Sequence, residues 1–130
     1  MATLTDPGVR ELLEQPNYAV ISTVNPNGSI HTTIVWVDVE DDTLAVNSAA
    51  GRLWPSNLER DPRIGVLVYA SPFHFVEIRG TARSDFEDAE DHADRLAIKY
   101  TGEKFTGRQP GTRRIKFNVI PEHVRYVKQD

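Results

Sequence analysis

The chain has 130 residues, the length of one ordinary domain, and is expected to fold as a single unit over residues 1–130. Hydrophobic residues make up 39% and charged residues 26%, while 15 Lys and Arg against 19 Asp and Glu leave a net charge of −4. The acidic balance counts against a nucleic-acid-binding domain, and the absence of cysteine excludes a disulfide scaffold, a Cys-based zinc site, an iron–sulfur cluster and a thiol nucleophile.

Asp6 is placed to cap a first helix, with Pro7 in its first turn, Val9, Leu12 and Leu13 on its buried stripe, and Pro16 at its end. A β-rich run from Tyr18 to Val24 follows, then the turn Asn25-Pro26-Asn27-Gly28 and a second run, Ile30 to Val39, in which alternation is clear. Glu40-Asp41-Asp42 turns the chain into a third strand, Thr43 to Asn47, so that close spacing and tight turns predict an antiparallel meander. A short helix, Leu53 to Arg60, interrupts the strands. Ile64 to Tyr69 and Phe75 to Arg83 read as the fourth and fifth, with Gly80 marking a bulge or bend.

Asp85 is expected to cap a helix whose apolar positions, Ala89, Ala93, Leu96, Ala97 and Tyr100, recur at three and four residues. Thr101 to Gly111, with three glycines and a proline, reads as a mobile loop. Ile115–Ile120 and Val124–Val127 complete a set of six or seven antiparallel strands with two or three peripheral helices, a mainly β (α+β) small barrel. The N-terminus shows neither the basic region nor the apolar core of a secretory signal, and no apolar run spans a bilayer. The expectation is a cytoplasmic protein without membrane contact.

Self-contained catalytic machinery is not visible. The serines stand in no nucleophile-elbow context, and His31, His74, His92 and His123 show no metal-binding spacing. The carboxylates between Asp85 and Asp94 read as the solvated face of a helix, so no metal is expected. Arg113-Arg114-Ile115-Lys116 is an isolated basic cluster on an acidic domain and reads as solvated surface, not as a nucleic-acid site. An enzyme with this inventory relies on a cofactor for its chemistry.

One segment stands apart, from Asn47 to Arg63. A strand ends in small polar residues, Gly51-Arg52 follows, and a helix begins. Orphan N–H groups beside a guanidinium form an anion site, to which Ser48, Ser56 and Asn57 can add hydrogen bonds. The same pattern also suits a plain capped helix that Asp61-Pro62 stops.

Asn57-Leu58-Glu59-Arg60-Asp61-Pro62-Arg63 resembles the N-L-x-x-D-P-R stretch of the pyridoxamine-phosphate-oxidase-like split β-barrels. Ala19 to Gly28 is similar to that family's first hairpin, and Ile34-Val35-Trp36-Val37 to its second strand. Gly80-Thr81-Ala82 is similar to its x-G-x-A strand, and Phe117 to Val124 to its C-terminal ending. The match is collinear over about residues 8 to 128. The resemblance implies an FMN-binding-like split β-barrel, and is strongest to the short actinobacterial branch that uses the deazaflavin coenzyme F-420.

That branch implies a homodimer with a cofactor in each interface groove. Arg52 and the helix start, including Trp54, are implied to hold the cofactor phosphate, while Thr33, Val35, Trp36 and Asn47 line it along the second and third strands. Pro72, Phe73 and His74 are implied to reach the ring region from the partner chain, although His74 reads equally as a surface residue. Two positions depart from the branch: Trp54 and Ser56 stand where relatives carry lysine and arginine. Trp54 is then free to stack or to fill a groove, and Trp36, Phe73, Phe75 and Tyr126 serve either core or interface.

The implied activity is transfer of a hydride from reduced deazaflavin to a planar conjugated electrophile, such as an enone, an unsaturated lactone or a quinone, with no catalytic side chain required. Its rivals are an FMN-binding oxidase or flavoprotein of the same fold, and a non-catalytic binder of a planar cofactor. Authentic pyridoxamine-phosphate oxidases are longer and carry basic and aromatic substrate residues that this sequence lacks. An oligoglutamate tail on the deazaflavin would call on Arg52, Arg60, Arg63, Lys104, Arg108, Arg113 and Arg114.

Overall fold

Two residues, Trp36 and Val37, decide the architecture. In the computed structural model, which describes residues 2–129, they separate strand β2 (Ile30–Val35) from strand β3 (Asp38–Glu40). The single sheet runs in the order β2-β1-β5-β6-β7-β4-β3, so these chain neighbours lie at its opposite edges. Three virtual bonds join Val35 to Asp38, which holds those edges to within about 11 Å. A seven-strand sheet meeting that condition must roll up, and the result is the expected split β-barrel.

The other strands are β1 (Ala19–Val24), β4 (Thr43–Ala49), β5 (Arg63–Ser71), β6 (His74–Asp85) and β7 (Arg114–Lys128), and every pairing is antiparallel. The expected strand from Ile30 to Val39 is therefore two. Its break has a tertiary cause: the Val37 N–H donates to the Tyr100 hydroxyl at 3.2 Å, and Lys99 Nζ donates to the Val37 carbonyl at 2.7 Å. These side chains of helix α3 (Ala89–Thr101) satisfy groups that a neighbouring strand would otherwise take.

The last two expected strands are one. Pro121 fits inside β7 because the register shifts there, with Arg79 opposite His123 but Gly80 opposite Pro121. Gly80 accordingly sits at a bulge, where a β-carbon would come within 2.0 Å of the Ile120 carbonyl oxygen.

Helix α1 (Pro7–Glu14) buries Val9, Leu12 and Leu13 at the expected spacing. Asp6 precedes it without capping it, because its carboxylate accepts the Thr3 N–H and hydroxyl instead. Helix α3 begins after Asp88, three residues beyond the expected cap, and the Asp85 carboxylate accepts the Asp88 N–H. Phe117, Ile115, Ile78, Ile21, Leu44 and Val46 from the sheet are fully buried with Leu4, Leu12 and Leu13. Among the described residues no helix is long and apolar enough to cross a membrane.

The segment 102–113 is tied down despite its glycines. Arg108 donates to Glu90 Oε1 at 2.9 Å, Asp94 Oδ1 at 3.1 Å, and the carbonyls of Phe105 and Glu90. Part of the acidic face of α3 is therefore ion-paired. The basic run at the start of β7 is likewise dispersed: Arg113 stacks 3.8 Å from the Phe86 ring centre, and Lys116 is buried between Glu40 and Asp88. A solvated basic patch is not what these residues form.

Candidate functional site

A cavity of about 550 Å³ opens where β2, the end of β4, helix α2 (Leu53–Arg60), α3 and the segment carrying Phe105 meet. The size lies within the range that holds cofactors. Strand β2 pairs only with β1 among the described residues, so its outer backbone groups have no partner strand. Seven of the sequence-derived candidates, Thr33, Val35, Trp36, Asn47, Ser48, Arg52 and Trp54, line this one space.

Its polar wall gathers around Ala49. Arg114 pairs with Ala49 across β4 and β7, and Arg52, three residues past Ala49, is the N-cap residue of α2. The Arg52 side chain and the buried Ser48 hydroxyl make no protein hydrogen bond among the described residues. Arg114 donates through Nε to Asn47 Oδ1 at 2.9 Å and lies 4.7 Å from the Phe105 ring centre. Burial lowers its pKa, Glu90 opposes that, and the positive charges of Arg108 and Arg52 lower it further. Two arginines repelling each other over an uncommitted hydroxyl and the first amides of a helix form a site for an anion.

Its aromatic wall is a stack. The Tyr100 ring lies 5.2 Å from Trp36 at 8° and 6.1 Å from Tyr18 at 23°, with Trp36 and Tyr18 lining the cavity. Burial pushes the Tyr100 hydroxyl up to about 12, so it stays protonated. Trp54 fills a groove: the residue is 8% exposed and its ring packs 5.9 Å from Phe117 in the core.

Five candidates lie elsewhere in this chain. Asn57 is 1% exposed, and its amide donates to Thr23 Oγ1 at 3.0 Å and Asn25 Oδ1 at 2.9 Å, which ties α2 to the first hairpin. Those bonds leave it no donor for a phosphate. Ser56 is exposed and outside the cavity. Pro72 and Phe73 form the β5–β6 turn and His74 opens β6; Phe73 is 62% exposed and His74 Nε2 lies 3.2 Å from the Tyr126 hydroxyl. Pro72 borders a second cavity of about 460 Å³, lined with Leu67, Tyr69 and Phe75.

The cavity also uses Tyr18, His31 and Phe105, which sequence reasoning did not single out. Arg114 was visible only as one of several cations. Of those, Arg60 bonds Asn57 and the Val24 carbonyl, Arg63 pairs with Asp61 at 2.7 Å, Arg108 is held by α3, and Arg113 stacks on Phe86. Among the described residues, Arg52 and Arg114 are the only cations that front the cavity.

Comparison with known proteins follows the same outline. A family described as pyridoxamine 5'-phosphate oxidase matches residues 5–128. No curated protein matches the sequence. An F420 reductase structure superimposes with a TM-score of 0.80 at 21% identity, covering 89% of this chain and 94% of that one. A Listeria innocua protein put forward as a pyridoxamine 5'-phosphate oxidase gives 0.71 at 23% identity, covering 93% and 96%. A conserved hypothetical protein from Mycobacterium tuberculosis gives 0.77 at 19%, covering 97% and 86%. At such identities these structures establish the fold alone.

Proposed function

For a chain that belongs to the pyridoxamine 5'-phosphate oxidase family, we propose that the cavity binds a flavin-type cofactor, coenzyme F-420, and that the protein is an oxidoreductase acting on planar conjugated electrophiles. The observation that carries this reading is the pairing of Arg52 and Arg114 on one wall of a cavity whose other wall is the open edge of β2. A phosphate suits the first wall, and a flat polar ring system suits the second.

When bound, a reduced deazaflavin supplies a two-electron hydride donor. The residues here do the rest. Arg52, Arg114, Ser48 and the amides of Leu53 and Trp54 anchor an anion. Backbone N–H groups along β2 are positioned to stabilise negative charge on a ring beside Thr33 to Trp36. Trp36, Tyr18 and Phe105 exclude water from that space.

A second reading, flavin mononucleotide, is favoured by one specific observation. The cavity presents two arginines, enough for a single phosphate, whereas most cations expected to serve an oligoglutamate tail are engaged elsewhere. Titration of the purified protein with each cofactor at low and high salt separates the readings. Tighter deazaflavin binding, weakened more by salt, supports the first; tighter flavin binding promotes the second. Turnover with reduced deazaflavin and a quinone distinguishes an enzyme from a binder.

The reading includes a second copy of the chain. Ile30, Ile34 and Phe73 are each at least 62% exposed, and the Pro72–His74 turn is proposed to approach the partner's cofactor. A solution mass of one chain would count against it.

A further inference from the structure

His92 has no exposed surface, yet neither wall of the cavity uses it. It stands on α3 between Asn47 of β4 and Asp38 of β3. Asn47 is fully engaged. Its Oδ1 accepts Arg114 Nε at 2.9 Å, and its Nδ2 donates to the Ala89 carbonyl at 2.8 Å, so the amide can face only one way. The same Nδ2 lies 3.1 Å from His92 Nδ1. An amide nitrogen donates and never accepts, so Nδ1 must offer its lone pair. The proton of neutral His92 therefore sits on Nε2. That atom is 3.2 Å from Asp38 Oδ2 but too oblique for a hydrogen bond, so Asn47 dictates the tautomer more than Asp38 does.

Ligand atoms of Asp38, Glu40 and His92 lie within 4.8 Å of one another, the spacing of a metal site. Two facts close it to a cation. A metal needs the Nε2 lone pair, which would move the proton to Nδ1 and set it against the Asn47 donor. Glu40 is also taken, by Lys116 at 2.7 Å, Asn118 at 3.1 Å and Arg95 at 3.2 Å.

We propose that His92 is a positioning residue: its Nδ1 holds the Asn47 amide, which in turn holds the Arg114 guanidinium against the cavity. Arg114 makes no other side-chain hydrogen bond among the described residues, so its two terminal nitrogens are left for a ligand. An arginine side chain loses substantial rotamer freedom when it is ordered, and a buried relay orders it before the ligand arrives. The relay stands on the protein's own geometry; its consequence for an anion rests on the function proposed above.

The test uses the whole chain, labelled with ¹⁵N. Long-range imidazole spectra should show His92 of the unliganded protein protonated at Nε2 with Nδ1 bare. His92→Leu removes the acceptor, while His92→Asn keeps an oxygen near the Nδ1 position. Solvent exchange of the Arg114 Nε–H should quicken roughly tenfold in the leucine variant and stay within about threefold in the asparagine variant, as loss of one hydrogen bond implies. If His92→Leu does not fold, Asn47→Asp replaces the donor with an acceptor and should drive a proton onto Nδ1.

A proton on Nδ1 in the wild type, an unchanged tautomer in Asn47→Asp, or equal Arg114 exchange in wild type and His92→Leu overturns the relay. Inorganic pyrophosphate is the anion probe, and its affinity should fall roughly tenfold in His92→Leu relative to His92→Asn. Arg114 exchange that follows His92 with no pyrophosphate binding to any form supports the relay and overturns the anion reading of the cavity.

Discussion

Lys116 donates to Asp88 Oδ2 at 2.7 Å, across 28 residues, with its side chain 4% exposed. Glu40 completes the pocket at 2.7 Å, and Arg95 grips Asp88 with two nitrogens. Arg95 above all, then Lys116, holds the Asp88 carboxyl far below its usual value against the pull of burial. For Glu40, burial is the largest single influence and raises the pKa, but the hydrogen bonds from Lys116 and Asn118 outweigh it.

Both carboxyls are lowered by folding, so their stabilisation is present above the unfolded value of about 4 and lost as pH falls below it. Lys116→Met should cost about 2–3 kcal/mol at pH 7, less than a fully buried pair because both carboxylates are partly exposed and Arg95 remains. Denaturant titrations at pH 7 and pH 3 should show that deficit shrinking in acid. An equal deficit at both would contradict the ion-pair account.

The Gly80 bulge predicts a steep contrast between two glycines. Gly80→Ala drives a β-carbon into the Ile120 carbonyl and should cost about 3 kcal/mol or more. At Gly65 the nearest contact is the Ser22 β-carbon at 3.9 Å, and alanine there should change stability by less than about 1 kcal/mol. Thermal melts of the two variants make the comparison.

At the seam, the Tyr100 hydroxyl donates to the Asn17 carbonyl and accepts the Val37 N–H. Tyr100→Phe keeps the ring stack and removes only these bonds and the hydroxyl's 3.2 Å contact with the Val37 carbonyl. It should destabilise by about 1–3 kcal/mol, and amide exchange at Val37 should quicken. A slow Val37 amide in the variant would mean that the strand break is held some other way.

Arg108 predicts local order in the segment 102–113. The Phe105 N–H donates to Asp94 Oδ1, beside the Arg108 guanidinium. Arg108→Ala should accelerate hydrogen exchange at Phe105 while leaving the β6 and β7 amides unchanged. Uniform acceleration would assign Arg108 a global role instead.

Arg52 is the cation on the cavity wall whose side chain has no hydrogen-bond or ion-pair partner among the described residues, so its loss should be felt by ligand and not by fold. Arg52→Ala should weaken cofactor binding by about 1.5–3 kcal/mol, as for a charge-assisted bond. Calorimetric titration measures it, and the melting temperature should stay within a few degrees. An undiminished affinity removes Arg52 from the site.

What could be read from the sequence was local. β-rich composition in the run from Tyr18 and alternation in the run from Ile30 mark strands, the second because side chains alternate faces every residue, and Gly28, at φ +87°, closes the turn its neighbours announce. Gly51-Arg52 before Leu53 marks a helix start with an anion's requirements built in, and the family resemblance extended that signal to seven of the residues that line the cavity.

Only the folded chain decided the rest. Val37 leaves its strand because Lys99 and Tyr100 arrive from more than sixty residues away. Arg114 reaches the cavity, and Lys116 leaves the surface, because β7 pairs with β4 in one register out of several that the alternating pattern allows. Asn57 turns inward because Thr23 and Asn25 offer its amide acceptors there. A side chain's partners are chosen by the register of distant strands, and no window of sequence contains both sides of that choice.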